Sequence, residues 1–108
     1  MAQLDSFLAV NFSQQTLGYL SQLTEYGKRN AYIRGAIIRD IQSGGNSVLL
    51  YRQMPGKKRF GAHQRRIRTS SQLRTLAQKR AESLSLSMAE YIAALVEQEW
   101  HRYRNRRV

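Results

Sequence analysis

Apolar positions near the start of the chain change from a two-residue period to a helical one. Leu8, Val10 and Phe12 alternate with small or polar residues, which is typical of a short strand with one buried face. A helical stripe of leucines follows Ser13, a residue type well suited to the N-cap of a helix. We expect this first helix to end at Gly27, because glycine commonly terminates helices.

A second helical stripe follows after a short interval. Asn30 is suited to cap this helix, and the glycines at 44–45 are expected to stop it. The stripe consists of Ile33, Ala36, Ile37 and Ile41. The first part of the chain therefore predicts strand, helix, turn and helix, in that order.

The same order recurs in the second half of the chain. Residues 64–69 are a strand candidate, a serine at 70–71 can cap a third helix, and residues 84–86 predict a turn. Ser87 and Glu90 then have the spacing of a capping box, in which each residue satisfies a free amide of the other. The strand–helix–helix order is thus predicted twice.

These two repeats suggest one domain of 108 residues around a shared core. Its predicted parts are a first unit at 7–42, a connector at 43–61, a second unit at 62–102 and a basic tail at 103–108. The predicted core comprises Leu17, Leu20, Leu23, Ile33, Ile37, Leu73, Leu76, Ile92, Leu95 and Val96. The aromatic residues expected in the core or at its edge are Tyr32, Tyr91 and Trp100.

The chain is strongly basic, with a net charge of +11. Residues 1–54 hold five basic and three acidic residues (+2), whereas residues 55–108 hold thirteen and four (+9). Such an excess predicts a polyanionic partner, either nucleic acid or an anionic membrane surface. We expect the second half to dominate any phosphate-binding surface.

Other classes of protein find little support in the sequence. There is no cysteine, and the two histidines, His63 and His101, lack the spacing of a metal site. No catalytic set or phosphate-cradling loop is recognisable, so we expect no enzyme activity, no cofactor and no metal. Neither a membrane-spanning run nor a secretory signal is evident, and we expect a cytoplasmic location.

The second unit carries a family resemblance. Residues 66–96, RIRTSSQLRTLAQKRAESLSLSMAEYIAALV, resemble the strand, alanine-centred helix, leucine–serine turn and Ser-x-x-Glu-Tyr-Ile of the ribbon–helix–helix superfamily. This is the Arc/MetJ type of DNA-binding protein. The first unit matches it by pattern, most clearly at Ala31-Tyr32-Ile33. Tandem single-chain forms occur among TraY-type conjugative accessory proteins and T-DNA border-processing proteins, which this chain resembles in architecture.

The resemblance implies a mainly α fold with a two-stranded antiparallel β-ribbon. Family members are usually homodimers that pair one strand from each subunit. In a tandem chain, the strand near 7–13 would pair with the strand near 63–69, giving an intramolecular pseudo-dimer with four core helices. A lone unit could neither pair its strand nor bury its helix stripes.

A β-ribbon of this kind reads base edges in the major groove. In the second strand, Ile67 and Thr69 should face inward with the aliphatic part of Arg65. In the first strand, Phe7, Ala9 and Asn11 should face outward. The expected base-reading residues are Gln64, Arg66, Arg68, Asn11 and Ala9. Alternatively these side chains form a solvated strand face, or a one-residue slip exposes Ile67 and makes Arg65 a reader.

Phosphate contacts are expected at the starts of the two second helices, where free amides favour anions. The candidates there are Lys28, Arg29, Asn30, Ala31, Ser87 and Met88. Further candidates precede the reading strand and could follow a flanking phosphate track; they are Lys57, Lys58 and Arg59. A basic tail could add to them or could only complement a helix carboxyl end. Its arginines are Arg102, Arg104, Arg106 and Arg107.

These expectations combine into one functional prediction. The chain is predicted to bind double-stranded DNA asymmetrically as a monomer, with higher assembly on DNA possible. The resemblance implies an accessory role in plasmid or T-DNA transfer, with a relaxase as protein partner. The alternatives are a transcriptional repressor or autoregulator, an antitoxin, and non-specific binding of RNA or a membrane surface.

Overall fold

Two strands and four α-helices make up the part of the chain that the computed structural model describes, residues 4–43 and 63–106. They are β1 (Ser6–Phe12), α1 (Gln14–Leu23), α2 (Arg29–Gln42), β2 (His63–Thr69), α3 (Ser71–Ser83) and α4 (Met88–Arg106). The prediction of a mainly helical chain with a two-stranded antiparallel ribbon is confirmed. Nearly all of the connector at 43–61 lies outside the described residues.

The ribbon pairs β1 with β2 in an antiparallel register that sets Ser6 opposite Thr69. Leu8, Val10 and Phe12 are buried on its inner face, and so is Ile67. A one-residue slip would turn these apolar side chains outward, so the expected faces are confirmed and the slipped register is wrong.

Arg65 lies on the inner side of β2 with Ile67, as predicted, but the residue is not buried there. The residue is exposed, and its guanidinium donates a hydrogen bond to the Gln64 carbonyl oxygen at 2.9 Å. It pairs with Val10 near one end of the ribbon, and it lines a cleft together with residues of α1 and α2.

Serine side chains begin the first helix of each unit. Ser13 Oγ accepts the Thr16 amide and Ser70 Oγ accepts the Leu73 amide, each at 3.1 Å. Both serines lie directly after a strand in extended conformation, so each satisfies an amide that would otherwise lack a partner. The predicted cap at Ser13 is confirmed, and of the two candidates in the second unit it is Ser70 that caps.

The turn between α3 and α4 closes as the sequence predicts. Ser85 has a φ of 58°, and the Leu86 amide returns to the Ala81 carbonyl at 2.9 Å, the pattern of a Schellman motif. Ser87 and Glu90 then form the predicted capping box, with reciprocal bonds of 3.0 and 3.1 Å.

The corresponding turn in the first unit differs from the prediction. Helix α1 ends at Leu23 rather than Gly27, because Thr24 is extended and a 3₁₀ turn (Tyr26–Lys28) follows. This turn leads directly into α2, whose N-cap is Lys28 with no side-chain capping bond. Asn30 therefore lies within the first turn of α2, and its predicted role as N-cap is wrong.

The core lies between the ribbon's inner face and the helices. Most predicted core residues are buried, while Leu17, Leu23 and Leu73 are partly buried against them. Leu76 is the error: it is 48% exposed, because Ala77 and Ala81 occupy the inner side of α3. The confirmed buried residues are Leu20, Ile33, Ile37, Ile92, Leu95 and Val96.

The three predicted core aromatics occupy different depths. Tyr91 is fully buried, whereas Tyr32 is partly buried against the core. Trp100 lies at the edge, where it stacks on Tyr19 with ring centroids 4.3 Å apart and donates to Gln22 Oε1 at 3.1 Å. The stack joins α4 to α1, so Trp100 forms a contact between the second unit and the first.

A buried polar cluster also joins the units. Asp40 of α2 is fully buried, and its Oδ2 accepts from Arg80 Nε of α3 at 3.1 Å and from Tyr91 Oη of α4 at 2.6 Å. Burial raises the pKa of Tyr91 above its ordinary value, and the bond to Asp40 raises it further, so the phenol remains a donor. No local pattern indicates this cluster, because its three residues are far apart in the chain.

Candidate nucleic-acid interface

The outer face of the ribbon brings all five predicted base-reading residues together. Its cross-strand pairs are Phe7 with Arg68, Ala9 with Arg66, and Asn11 with Gln64. All six residues are exposed. They form one continuous surface, because residues two apart in a strand share a face and paired residues lie side by side. We call these six residues the ribbon face.

The chemistry of the ribbon face is cationic and polar without any carboxylate. Arg66 and Arg68 provide two guanidinium groups, and Asn11 and Gln64 provide two amides. Among the described residues, neither arginine forms an ion pair. Guanidinium groups match guanine O6 and N7, and amides match adenine N6 and N7, so the face has the donors and acceptors that base reading in a major groove requires.

Phe7 contacts both arginines of the ribbon face. Its ring centroid lies 4.6 Å from Cζ of Arg66 and 6.0 Å from Cζ of Arg68. These are cation–π distances, with Arg66 the closer partner. The contact depends on the register of two strands that are far apart in sequence, so alternation within each strand could not reveal it.

One side of the ribbon borders a cleft that we call the first cleft, with a volume of about 310 Å³. It lies between β2 and the start of α2, so helices of the first unit face the strand of the second. Among the described residues, three arginines and no acidic residue line it. Its lining residues are Phe12, Leu17, Leu20, Gly27, Arg29, Asn30, Ile33, Arg65, Arg66 and Ile67.

A second cleft, of about 380 Å³, lies between β1 and the start of α4. Here helices of the second unit face the strand of the first. Its charged residues are Arg74 and Glu82, which offset each other. The remaining lining residues are Phe7, Leu8, Ala9, Gln78, Ala81, Leu86, Ser87 and Met88.

The two helix starts beside these clefts offer different electrostatics. At α2 no side chain caps the free amides, and Arg29, held by a 2.8 Å bond from its Nη2 to Ser21 Oγ, adds positive charge. At α4 the capping box already uses Ser87, and Glu90 adds negative charge in the first turn. An anion is therefore favoured at α2 over α4.

The other predicted phosphate-binding residues are dispersed. Lys28 and Ala31 are exposed beside the first cleft's helix start, and Lys28 makes a 3.8 Å ion pair with Glu25. Met88 is partly buried against the core. Lys57, Lys58 and Arg59 lie outside the described residues.

The predicted basic tail is in large part helical. Helix α4 runs to Arg106, so residues 103–106 of the predicted tail belong to the helix. Arg104 stacks on Trp100 with Cζ 4.8 Å from the ring centroid, which explains part of the extension. Arg102 is partly buried on the same helix, and Arg107 lies outside the described residues.

Two contacts at one end of the ribbon were not anticipated. Arg34 of α2 donates to the Arg68 carbonyl oxygen at 2.8 Å, and Asp5 Oδ1 accepts the Ser71 amide at 3.2 Å. They fix β2 against α2, and the start of α3 against the chain before β1. The ribbon face is thereby attached to helices of both units.

Within the described ranges, 4–43 and 63–106, no cluster of three or more His, Asp or Glu residues could hold a metal ion. In the same ranges no helix is both long enough and apolar enough to cross a membrane. Comparison of the chain with family models, curated proteins and solved structures finds no match.

Proposed function

We propose that this chain binds double-stranded DNA in a sequence-specific manner, with the ribbon face in the major groove. The observation that carries the proposal is an exposed two-stranded ribbon with two amides, no carboxylate, and two guanidinium groups that form no ion pair with any residue the structure describes. A two-stranded ribbon has the dimensions of the major groove, where all four base pairs present different donor and acceptor patterns.

The first cleft supports a phosphate-binding role beside the groove. Arg29 and Arg65 line it next to the uncapped start of α2. A DNA backbone that follows this edge of the ribbon would meet positive charge and free amides together. Such contacts fix the register of the protein on the duplex, while the ribbon face selects the sequence.

The proposed binding is asymmetric. On β2 the ribbon face carries Gln64, Arg66 and Arg68, whereas on β1 only Asn11 has a side chain suited to base reading. We therefore propose a non-palindromic site, or one strong and one weak half-site. Pairing of β1 with β2 within a single chain supports an intramolecular pseudo-dimer that acts as a monomer.

For the biological role we propose recognition of a transfer origin or a T-DNA border in the cytoplasm, together with a relaxase. This role rests on the resemblance to tandem ribbon–helix–helix accessory proteins. A footprint beside a nick site would support it. A footprint over a promoter would replace it with repression.

Selection from a pool of randomised 20-base-pair duplexes tests the DNA-binding proposal. The wild-type chain should enrich a defined sequence. The double variant Arg66→Ala/Arg68→Ala should enrich none, yet retain salt-sensitive binding to bulk duplex. The matched control Arg102→Ala/Arg104→Ala, which changes the same number of charges on α4, should still enrich the wild-type sequence.

Two results would overturn the proposal. The first is that the wild-type chain enriches no sequence. The second is that it prefers single-stranded DNA or duplex RNA to duplex DNA under the same ionic conditions. The α4 control separates loss of readout from loss of net charge, since both double variants lower the charge equally.

A further inference from the structure

We propose that Phe7 is a positioning residue for base reading, which holds the Arg66 guanidinium in place on the ribbon face. The inference rests on the proposed function and assigns a task to a side chain that cannot itself form the hydrogen bonds of base recognition. The supporting observation is the short distance between the Phe7 ring and Arg66, 4.6 Å from centroid to Cζ.

The register explains why Arg66 reaches Phe7. Arg66 is paired with Ala9, and Phe7 lies two residues before Ala9 on the same face of β1. Ala9 ends at its β-carbon, so it leaves space for the long arginine side chain to lean along the diagonal. Diagonal neighbours in an antiparallel pair are within reach of arginine and aromatic side chains.

The exposure of the Phe7 ring has no other explanation in its described surroundings. It is one of four large hydrophobic residues that are exposed among the described residues, and the only one on the ribbon face. The inner face of the same strand already contributes Leu8, Val10 and Phe12 to the core. An exposed aromatic ring beside two unpaired guanidinium groups is accounted for by its contact with those groups.

The contact suits an arginine that must also bind guanine. A guanidinium that stacks on an aromatic ring keeps the N–H groups at its edge free, whereas a carboxylate partner would occupy them. Restricting the arginine before binding also reduces the conformational entropy lost on the DNA. The first strand thus contributes to specificity through the second strand's arginine.

Phe7→Leu removes the ring and keeps an apolar side chain, whereas Phe7→Tyr keeps the ring. With the duplex selected by the wild-type chain, Phe7→Leu should lose about two- to fivefold in discrimination at the guanine read by Arg66. Its binding to random duplex should not change. Phe7→Tyr should retain the discrimination, and Leu76→Ala, which removes a similarly exposed apolar group from α3, should match the wild type.

A double-variant comparison separates positioning from direct contact. In an Arg66→Ala background, Phe7→Leu should cause no further loss of discrimination, since the two residues act as one unit. A second readout needs no DNA. In the free protein, the NMR signals of the Arg66 side chain should be shifted by the aromatic ring in the wild type and in Phe7→Tyr, but not in Phe7→Leu.

The outcomes distinguish this inference from the function on which it rests. Additive losses for Phe7→Leu and Arg66→Ala, or unchanged discrimination in Phe7→Leu, would overturn the positioning role while sequence-specific binding stands. If the wild-type chain selects no duplex sequence, the proposed function fails and the positioning role fails with it. Non-additive losses together with the ring-dependent NMR shift would support both.

Discussion

The charged residues that line the first cleft are Arg29, Arg65 and Arg66, whereas those that line the second are Arg74 and Glu82, one of each sign. Each cleft combines the helices of one unit with the strand of the other, so the basic strand β2 faces the uncapped helix start of the first unit. The sequence placed most of the charge in the second half. In the fold, the cleft with the most positive charge is formed by both halves, because Arg29 comes from the first half and Arg65 and Arg66 come from the second.

The two halves also differ in the protein interior. Counted from the parallel Tyr-Ile pairs at 32–33 and 91–92, Asp40 and Glu99 occupy matching positions. Asp40 is fully buried and bound by Arg80, whereas Glu99 is 16% exposed and forms an ion pair at 2.7 Å with Arg39, which is half exposed. The two halves of the chain therefore share one order of elements but differ both in the core and on the ribbon.

The largest expected effect is the difference in stability between variants of the two acid–arginine pairs, Asp40 with Arg80 and Glu99 with Arg39. Arg80→Met leaves Asp40 buried without its cationic partner and should lower the free energy of unfolding by about 3–5 kcal/mol. Arg39→Met breaks a pair whose arginine is half exposed, at a cost of less than about 1 kcal/mol. Urea unfolding of both variants measures the difference, and equal losses would show that burial does not separate the two pairs.

The next contrast is between the two strands of the ribbon. Arg68→Ala should reduce discrimination at one base pair by about 1–3 kcal/mol, because a guanidinium can make two bonds to guanine. Asn11→Ala should reduce it less. Fluorescence anisotropy with the selected duplex and its single-base variants gives both values. A larger effect at Asn11 than at Arg68 would assign the leading role to β1.

The two helix starts should differ in their dependence on side-chain caps. Ser87→Ala removes the cap of α4 and should cost about 1 kcal/mol of stability. Asn30→Ala should cost little, because α2 has no side-chain capping bond. Thermal unfolding distinguishes the two variants, and a loss at Asn30 as large as at Ser87 would mean that Asn30 does cap α2.

The smallest effect concerns the salt dependence of DNA binding in the two clefts. Each phosphate contact contributes about 0.9 to the slope of log K against log salt concentration. Arg65→Gln should reduce this slope by about that amount, whereas Arg74→Gln, in a cleft that also contains the acidic Glu82, should change it less. Binding to random duplex over a range of salt concentrations provides the test. Equal changes would indicate that both clefts contact phosphate equally.

Local patterns predicted much of the fold and of the interface. Alternation identified the two faces of each strand, because a strand with one buried face has no other stable register. The serine at 13 and the capping box at 87–90 were read correctly, since these bonds join residues three positions apart. Alternation also assigned the base-reading candidates to the outer face of each strand, whereas their meeting on one surface depends on the pairing of β1 with β2 that the resemblance implied.

The errors and omissions arose where distant residues decide the outcome. Leu76 fits a helical stripe, but the alanines at 77 and 81 form the inner side of α3 once the other helices are present. Asn30 is a common capping residue, yet the preceding 3₁₀ turn continues directly into the helix. The contacts of Asp40 with α3 and α4, and of Phe7 with Arg66, require the tertiary arrangement.

Methylation interference on the selected duplex tests the central claim most directly. Dimethyl sulfate methylates guanine at N7 in the major groove and adenine at N3 in the minor groove. If the ribbon face reads the major groove mainly through β2, methylated guanines on one side of the site should block binding, and methylated adenines should not. Interference only at adenine N3, or equal interference in two inverted half-sites, would contradict the account.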